Sequence, residues 1–368
     1  MFDFIRTRKY FYIVSGTLML FSLVSLFSFG LKLGIDFTGG SLSEVKFERV
    51  ERPSREAVEQ AIAPLNLGGL NVNTSGASTL IIKFADTSEE THQAILNSLQ
   101  QEFITPLVDT KPSETEPTPS ENNQGDEQAP EAQQNENTSE NSEPQGRDAA
   151  QQDNNQSAIS QESNTPSISE GPVMIELRFE AVGPSIGNEL REKSIAAMII
   201  VIIAIIVYIA WAFRKVSQPV ASWKYAIAAI IALIHDVLIT LGVFSLLGHF
   251  YGIEVNVTFV AALLTILGYS VNDTIVVFDR IRENLFTATG EFASTVNTAL
   301  HQTLWRSLNT SITTLIVLFA IYFYGGDTIK DFVLALIIGL IAGGYSSIFI
   351  ASPLLVDWYN WQRKNTQK

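Results

Sequence analysis

SIAAMIIVIIAIIVYIAWAF, residues 194–213, is a run of 20 residues without a single charge. A helix rises 1.5 Å per residue, so a run of that length covers roughly 30 Å, the hydrocarbon thickness of a bilayer. A membrane β-strand would instead alternate apolar with polar residues. Five more such runs flank it. Tyr10–Phe29, Ser307–Tyr324 and Phe332–Val356 hold no charge, while Tyr225–Leu247 and Val257–Phe278 hold one acid each. Together they exclude a soluble globule and a β-barrel. They predict a membrane α-helical protein with six spans at 10–30, 193–213, 223–247, 257–278, 305–324 and 332–356. The first reads as an uncleaved anchor rather than a signal peptide. Its apolar core is longer than the usual 7–15 residues, and Ser28-Phe29-Gly30 is a poor small-x-small site.

The bases order the topology. Arg6, Arg8 and Lys9 precede span one, Arg214, Lys215 and Lys224 lie between spans two and three, and Arg280 and Arg282 follow span four. Arg363, Lys364 and Lys368 follow span six, whereas loop 248–256 has no base and loop 325–331 has only Lys330. The positive-inside rule then places residues 1–9, 279–304 and 357–368 in the cytoplasm, and the long segment between spans one and two outside.

The net charge of −14 is unevenly spread. Residues 109–170 hold 14 acids against Lys111 and Arg147, no aromatic residue, and much Gln, Asn, Ser and Pro. Such a segment buries too little apolar area to offset its chain entropy, so it reads as a disordered acidic insertion, a solvated spacer. No basic patch with interleaved aromatics supports nucleic-acid binding. With no Cys, neither a disulfide framework nor a Cys-ligated metal is available.

The flanks of the insertion, 31–108 and 171–192, read as one small α+β domain. Leu42, Val45 and Phe47 mark a strand. Pro53-Ser54 starts a helix carrying Ala57, Val58 and Ile62. Leu80-Ile81-Ile82 with Phe84 marks a second strand, and Thr87 with Glu90 is a candidate capping box for a helix presenting Ile95, Leu99 and Phe103. Val173, Ile175, Leu177 and Phe179 alternate with polar neighbours, predicting a strand with one apolar face. The order is βαβαβ, a ferredoxin-like arrangement. Loop closure across 62 residues costs little more than across a short loop, so both flanks can share one fold. Gly183-Pro184-Ser185-Ile186-Gly187 reads as a turn ending the last strand. His92 on a polar helix face and His249 in a loop read as surface residues.

Charges inside the spans are costly, and persist where they face a bundle interior with partners. Asp273 and Arg306 fall at matching depth near the inner surface, so the expectation is that they pair. Arg306, Thr310 and Thr313 share a face at i, i+4, i+7. Tyr269 and Asp273 share another, with Asn272 beside it. His235-Asp236 lies near mid-membrane with Thr240 extending its face, and a structural hydrogen bond is at least as good a reading there as a proton-carrying one. A carboxyl whose proton affinity depends on a movable guanidinium would relay protons. Neither a phosphate loop nor a dinucleotide fingerprint is present, so work would need an ion gradient or a partner. Gly339 and Gly343 form a G-x-x-x-G that permits close packing, either within the chain or against a partner.

These residues resemble a known family. Leu33-Gly34-Ile35-Asp36-Phe37-Thr38-Gly39-Gly40, Val182-Gly183-Pro184-Ser185-Ile186-Gly187, His235-Asp236-Val237 and Gly268-Tyr269-Ser270-Val271-Asn272-Asp273-Thr274 are similar to segments of the SecF family of the bacterial SecD–SecF protein-export complex. So are Asp279-Arg280-Ile281-Arg282-Glu283-Asn284 and Arg306-Ser307-Leu308-Asn309-Thr310-Ser311-Ile312-Thr313-Thr314. The acidic insertion departs from the compact family pattern. The resemblance implies a resistance-nodulation-division transporter half, completed by a six-span SecD-like subunit. It implies a proton relay at Asp273 and Arg306, supported by Asn272, Thr310, Thr313, His235 and Asp236. The coupling ion would be the proton, with no other cofactor and no enzymatic reaction. Partners would be SecYEG, SecA and the unfolded exported polypeptide, with YajC and YidC as further contacts. The location would be the bacterial inner membrane, or a thylakoid where one exists. A small-molecule exporter of the same superfamily and a non-conducting translocon scaffold are the competing expectations.

Overall fold

The computed structural model describes residues 3–106, 172–214, 220–287 and 290–366. The expected disordered insertion at 109–170 lies outside the described residues. Helix α1 (Arg8–Phe29) leads through a short α2 (Ile35–Thr38) into the α+β domain: β1 (Gly40–Glu48), α3 (Arg55–Ile62), β2 (Asn71–Ser75), β3 (Thr79–Phe84), α4 (Glu89–Phe103) and β4 (Val173–Val182). The chain returns to the bundle as α5 (Pro184–Ala212), α6 (Ser222–Tyr251), α7 (Val257–Thr287), α8 (Phe292–Tyr324) and α9 (Lys330–Ser346). A π-helical turn, Ser347–Ala351, joins α9 to α10 (Ser352–Thr366), so that both form the sixth span. Among the described residues, six helices are long and apolar enough to cross a membrane, as the sequence predicts.

The domain has one strand more than expected. Its sheet order is β2-β3-β1-β4 with every neighbour antiparallel, which makes the element order βαββαβ, the split arrangement of ferredoxin-like folds. Asn71-Val72-Asn73-Thr74-Ser75 escapes a pattern search because only Val72 is buried; its pairing with β3, Val72 opposite Ile82, makes it a strand. Val45, Phe47, Leu80, Ile82 and Phe84 face the helices and meet Val58, Ile62, Ile95 and Leu99 in one core. β4 differs in phase from its sequence pattern. Opposite Glu44 and Val45 its partners are Arg178 and Glu176, so Leu177 is the extra residue of a β-bulge. The bulge reverses the facing of the strand on either side of it. Met174 and Phe179 pack on the core, while Ile175 and Leu177 remain exposed.

Two local readings shift. Ser54 caps α3 as expected, its side chain accepting from the Ala57 N–H. The cap of α4 is Ser88 rather than Thr87, accepting from the Thr91 N–H. His92 is buried, not superficial. Its Nε2 lies 2.7 Å from Glu176 Oε1 and its ring stacks on Phe179 with centroids 3.7 Å apart. The spacing 92, 95, 99 places it on the same face as Ile95 and Leu99.

The spans run longer than charge-free runs suggest. The expected loop 279–304 is mostly helix, because α7 continues to Thr287 and α8 starts at Phe292. Polar residues there pair one turn apart, Arg280 with Glu283 at 2.8 Å and Arg282 with Asp279 at 2.6 Å. Ile281, Phe292, Val296, Ala299 and Leu300 continue the buried face. Gly183–Gly187 is likewise not a turn but the start of α5, with Pro184 in the first turn, where its fixed φ and missing N–H cost nothing.

The bundle centre is α6, α7 and the sixth span. Only 6% of the apolar stretch of α5 and of α8 is buried, so each presents most of its surface outward. Small residues set the closest approaches. Gly242 of α6 packs on Ser22 of α1, and Ser25 Oγ donates to the Gly242 carbonyl at 3.1 Å. Gly339 packs on Ile266 and Gly343 on Ser270, which assigns that G-x-x-x-G to a contact with α7 inside the chain.

The domain is tied to one end of the bundle around α2. The Gly34 N–H donates to the Val255 carbonyl at 2.8 Å and the Val255 N–H to the Lys32 carbonyl at 2.7 Å. Asp36 Oδ2 accepts the Val257 N–H at 2.9 Å, satisfying a free donor at the start of α7. Lys83 of β3 pairs with Glu254 at 2.5 Å. At the other end, which carries both termini, Asp357 accepts Arg8 Nε at 2.8 Å and Tyr12 OH at 3.0 Å.

Candidate functional site

His235, Asp236 and the serines around them gather where α6, α7 and the sixth span cross. Asp236, fully buried near the middle of α6, receives three contacts. Ser270 Oγ of α7 donates to Oδ2 at 2.6 Å, Ser346 Oγ of α9 donates to Oδ2 at 2.9 Å, and His235 Nδ1 lies 3.0 Å from Oδ1. Thr240 turns its hydroxyl back to the Asp236 carbonyl at 2.8 Å, so it closes its own helix rather than extending the network. Gly343 lets α9 come close enough for Ser346 to reach: a Cβ there would stand 3.0 Å from Ser270 Cβ and 3.5 Å from Asp236 Oδ2.

One turn along α7 from Ser270 sits Asp273, 8% exposed. Its Oδ1 accepts from Ser307 Oγ of α8 at 2.5 Å, and its Oδ2 is buried without a hydrogen-bond partner among the described residues. Thr274 Oγ1 lies 2.9 Å from Ser347 Oγ, at the first residue of the π turn. The two carboxyl groups thus occupy different contacts of α7: Asp236 is held by serines of α7 and α9, and Asp273 by one serine of α8. Serine hydroxyls rotate to suit, so such contacts can hold a carboxyl group in either protonation state.

The expected Asp273–Arg306 ion pair does not form. Arg306 is exposed on α8, next to Ser307, which takes the place facing Asp273. Adjacent residues on a helix point about 100° apart, so α8 cannot offer Arg306 and Ser307 to the same neighbour. Thr310 and Thr313 share the exposed face with Arg306, as their spacing predicts, and their hydroxyls bond to the Arg306 and Asn309 carbonyls at 2.8 and 2.9 Å. Asn272 is exposed as well. Of the expected site residues, the fold therefore joins His235 to Asp236 and buries Asp273 one turn along α7 from the Ser270 that holds Asp236. It places Arg306, Asn272, Thr310 and Thr313 on the uncovered side. Ser270, Ser307 and Ser346 complete the site without having been singled out in the sequence. Serine is small and common in membrane helices, so only the crossing reveals which ones matter. Ser270 and Ser307 do fall within motif segments, one turn or one residue from Asp273 and Arg306.

Residues 167–361 match the model of the C-terminal part of the SecD/SecF protein export membrane proteins, and residues 24–49 match the SecD/SecF GG motif. The SecF protein translocase subunit of Thermobaculum terrenum is 38% identical over 361 residues, covering 98% of this chain and 95% of that one. The chain belongs to the SecF family. A second family member, the SecF subunit of Desulfurispirillum indicum, is 36% identical, covering 96% of this chain and 91% of that protein. The crystal structure of SecDF, a translocon-associated membrane protein from Thermus thermophilus, superposes with a TM-score of 0.69 at 28% identity. SecDF in its super-membrane-facing form superposes at 0.58 with 27% identity. The chain covers 98% of itself but 39% of the first SecDF chain, so it spans about two fifths of that protein. SecF membership makes this a multi-pass membrane protein of protein export, and it assigns the ferredoxin-like domain with the GG motif at its root to a family architecture.

Proposed function

We propose that this chain is the SecF half of a proton-driven export motor, in which Asp273 takes up and releases the coupling proton. The observation that carries the reading is Asp273 itself. It is a carboxyl group buried inside the bundle, held by a single serine, with one oxygen that meets no hydrogen-bond partner among the described residues. A purely structural acid at that depth would have its acceptors filled, because burying an unsatisfied charged group is costly.

The uncovered polar stripe on α8 argues for a partner. Arg306 lies near the inner end of its span, where an uncovered arginine costs less than at a helix centre, but the stripe of Asn309, Thr310 and Thr313 carries polar groups deeper along the same face. A SecD-like six-span subunit seated on α8 would cover Arg306, Asn309, Thr310 and Thr313. It would also bring a rotation of α8 under its control, and a rotation of about 100° exchanges Ser307 for Arg306 opposite Asp273. With only Ser307 facing it, the buried carboxyl group is favoured as the neutral acid; Arg306 facing it favours the ion and drives release. Alternation between the two would couple proton passage to movement of the domain anchored through Asp36, Glu254 and Lys83. With the termini in the cytoplasm of a bacterial inner membrane, that domain lies outside, where it would act on polypeptide emerging from SecYEG after SecA has done its part. YajC and YidC would be peripheral to this cycle. No enzymatic step and no further cofactor is required.

The test is Asp273→Asn in the complete complex, purified with its partner and reconstituted with translocase in vesicles. The expected outcome is normal assembly with loss of gradient-stimulated export. Normal export would leave a non-conducting scaffold as the function. Efflux of small apolar compounds without an export defect would leave a small-molecule exporter.

A further inference from the structure

Beyond Asp273, the bundle buries a second ionisable pair. We propose that His235 is a second proton-carrying site, accepting at Nε2, with Asp236 as the positioning residue that fixes its ring and balances its charge. This rests on the proton-coupled reading of Asp273.

The geometry selects the atom. Three contacts converge on the two oxygens of Asp236, from Ser270 Oγ, Ser346 Oγ and His235 Nδ1. When Asp236 is ionised it only accepts, and Nδ1 then carries its hydrogen toward Oδ1. The tautomer of an imidazole is set by the bond its other nitrogen makes. Nε2 is then the nitrogen free to take a proton. It is buried with no hydrogen-bond partner among the described residues, in a residue 1% exposed. An orphaned polar atom at that depth needs an explanation, and a proton-exchange position supplies one.

The charge argument agrees. With Nε2 bare the pair carries −1, and with Nε2 protonated it is neutral. Among the described residues packed around it, none offers a counter-charge. The apolar runs of α1, α5 and α9 contain no Asp, Glu, Lys or Arg. The Tyr345 ring stands 6.1 Å from the His235 ring, and its hydroxyl donates to the Phe11 carbonyl at 3.1 Å. From α7 the facing groups are Ser270 and, one turn on, Asp273, itself an acid. From α10, Asp357 is held by Arg8 at the terminal end, and at the start of α6 Lys224 donates to Gln362 at 2.6 Å. The proton is the remaining neutralising species.

The step balances simply. A hydronium ion gives up an O–H bond as an N–H bond forms at Nε2, leaving water; release reverses this, and no electron moves. The pair is wired to the Asp273 site through α7, where Ser270 and Asp273 are one turn apart. It is also wired through span six, where Ser346 adjoins the π turn and Ser347 touches Thr274. Proton occupancy at His235 therefore bears on the stretch of α7 that carries Asp273.

The test uses the complete complex in vesicles with ¹⁵N-labelled histidine. The chain has four histidines, His92, His235, His249 and His301, and H235Q assigns the signal of interest. The expected result is that the His235 Nε2 resonance shows both an unprotonated and a protonated position as the pH is varied. In D236N that change should vanish or move, and in H235Q gradient-driven proton flux should fall at least ~100-fold, the low end of what a positioned proton-transfer group supplies. An unchanging wild-type resonance, or wild-type flux in H235Q, overturns the proposal. Lost flux in D273N together with normal flux in H235Q removes the second site and leaves the Asp273 reading intact, whereas normal flux in D273N removes that reading itself. Should H235Q fail to assemble, the wild-type titration decides alone.

Discussion

Replacing Gly39 by alanine should loosen the joint between the α+β domain and the bundle. Gly39 ends α2 with φ 75° and ψ 167°, a backbone region that only glycine occupies freely. Forcing another residue there costs about 1–3 kcal/mol. The added Cβ would also stand 2.9 Å from Pro184 Cα, a backbone atom at the first turn of α5. Gly187 packs back against the same place, its own would-be Cβ 3.1 Å from the Gly39 nitrogen. Neither side can yield by turning a side chain, so overpacking adds roughly 1–3 kcal/mol more. The combined loss is about 2–6 kcal/mol. Gly76 supplies the control. Its φ is 59°, with nothing within 4 Å of a Cβ, so Gly76→Ala carries the backbone cost alone, about 1–2 kcal/mol. The assay is thermal unfolding of the full chain in detergent, with amide exchange read separately on the domain and the spans. Gly39→Ala should lower the midpoint more than Gly76→Ala and raise exchange at β1 and the start of α5. Equal midpoints for the two variants would refute the close-approach argument.

Leu80→Ala, at a fully buried core position on β3, should destabilise the α+β domain by about 2–5 kcal/mol and leave span exchange unchanged. Gly339→Leu would drive a side chain into Ile266 and should weaken the α7–α9 contact by about 1–3 kcal/mol, read as a lower midpoint in detergent; an unchanged midpoint would place that glycine elsewhere in the packing. The carboxyl of Asp86 is held below its ordinary value, chiefly by the Thr91 hydroxyl at 2.7 Å and then by the Ser88 N–H at 2.8 Å. The folded state thus binds this proton less readily than the unfolded chain, so the stabilisation is complete above the ordinary carboxyl range and is lost as pH falls through the depressed value. Exchange protection at the start of α4 should drop below about pH 4, and Asp86→Asn should flatten that dependence.

The membrane class was legible because it rests on composition over a helix length. Twenty uncharged residues at 194–213 have one economical conformation in lipid, whatever surrounds them. The two α-helices of the domain were legible for the same local reason, through Ser54 and the Ile95–Leu99 face. Boundaries were less so. Charge-free runs end where lipid ends, but helices end where backbone hydrogen bonds stop, and Arg280–Glu283 and Arg282–Asp279 carry α7 well past Phe278. β2 was invisible because its stability comes from β3, not from its own residues.

By itself the sequence determined that six helices cross a membrane, that a ferredoxin-like domain interrupts them, and that Asp236, Asp273 and Arg306 are the costly groups within. Tertiary structure alone decided who faces whom. It put Ser307 rather than Arg306 opposite Asp273, turned Ile175 and Leu177 outward through one bulge, and sank His92 into the domain core against Glu176. Local periodicity fixes which residues share a face of one element. Which neighbour that face meets depends on rotation about each axis and on crossing angles, and these are set only when all the elements pack together.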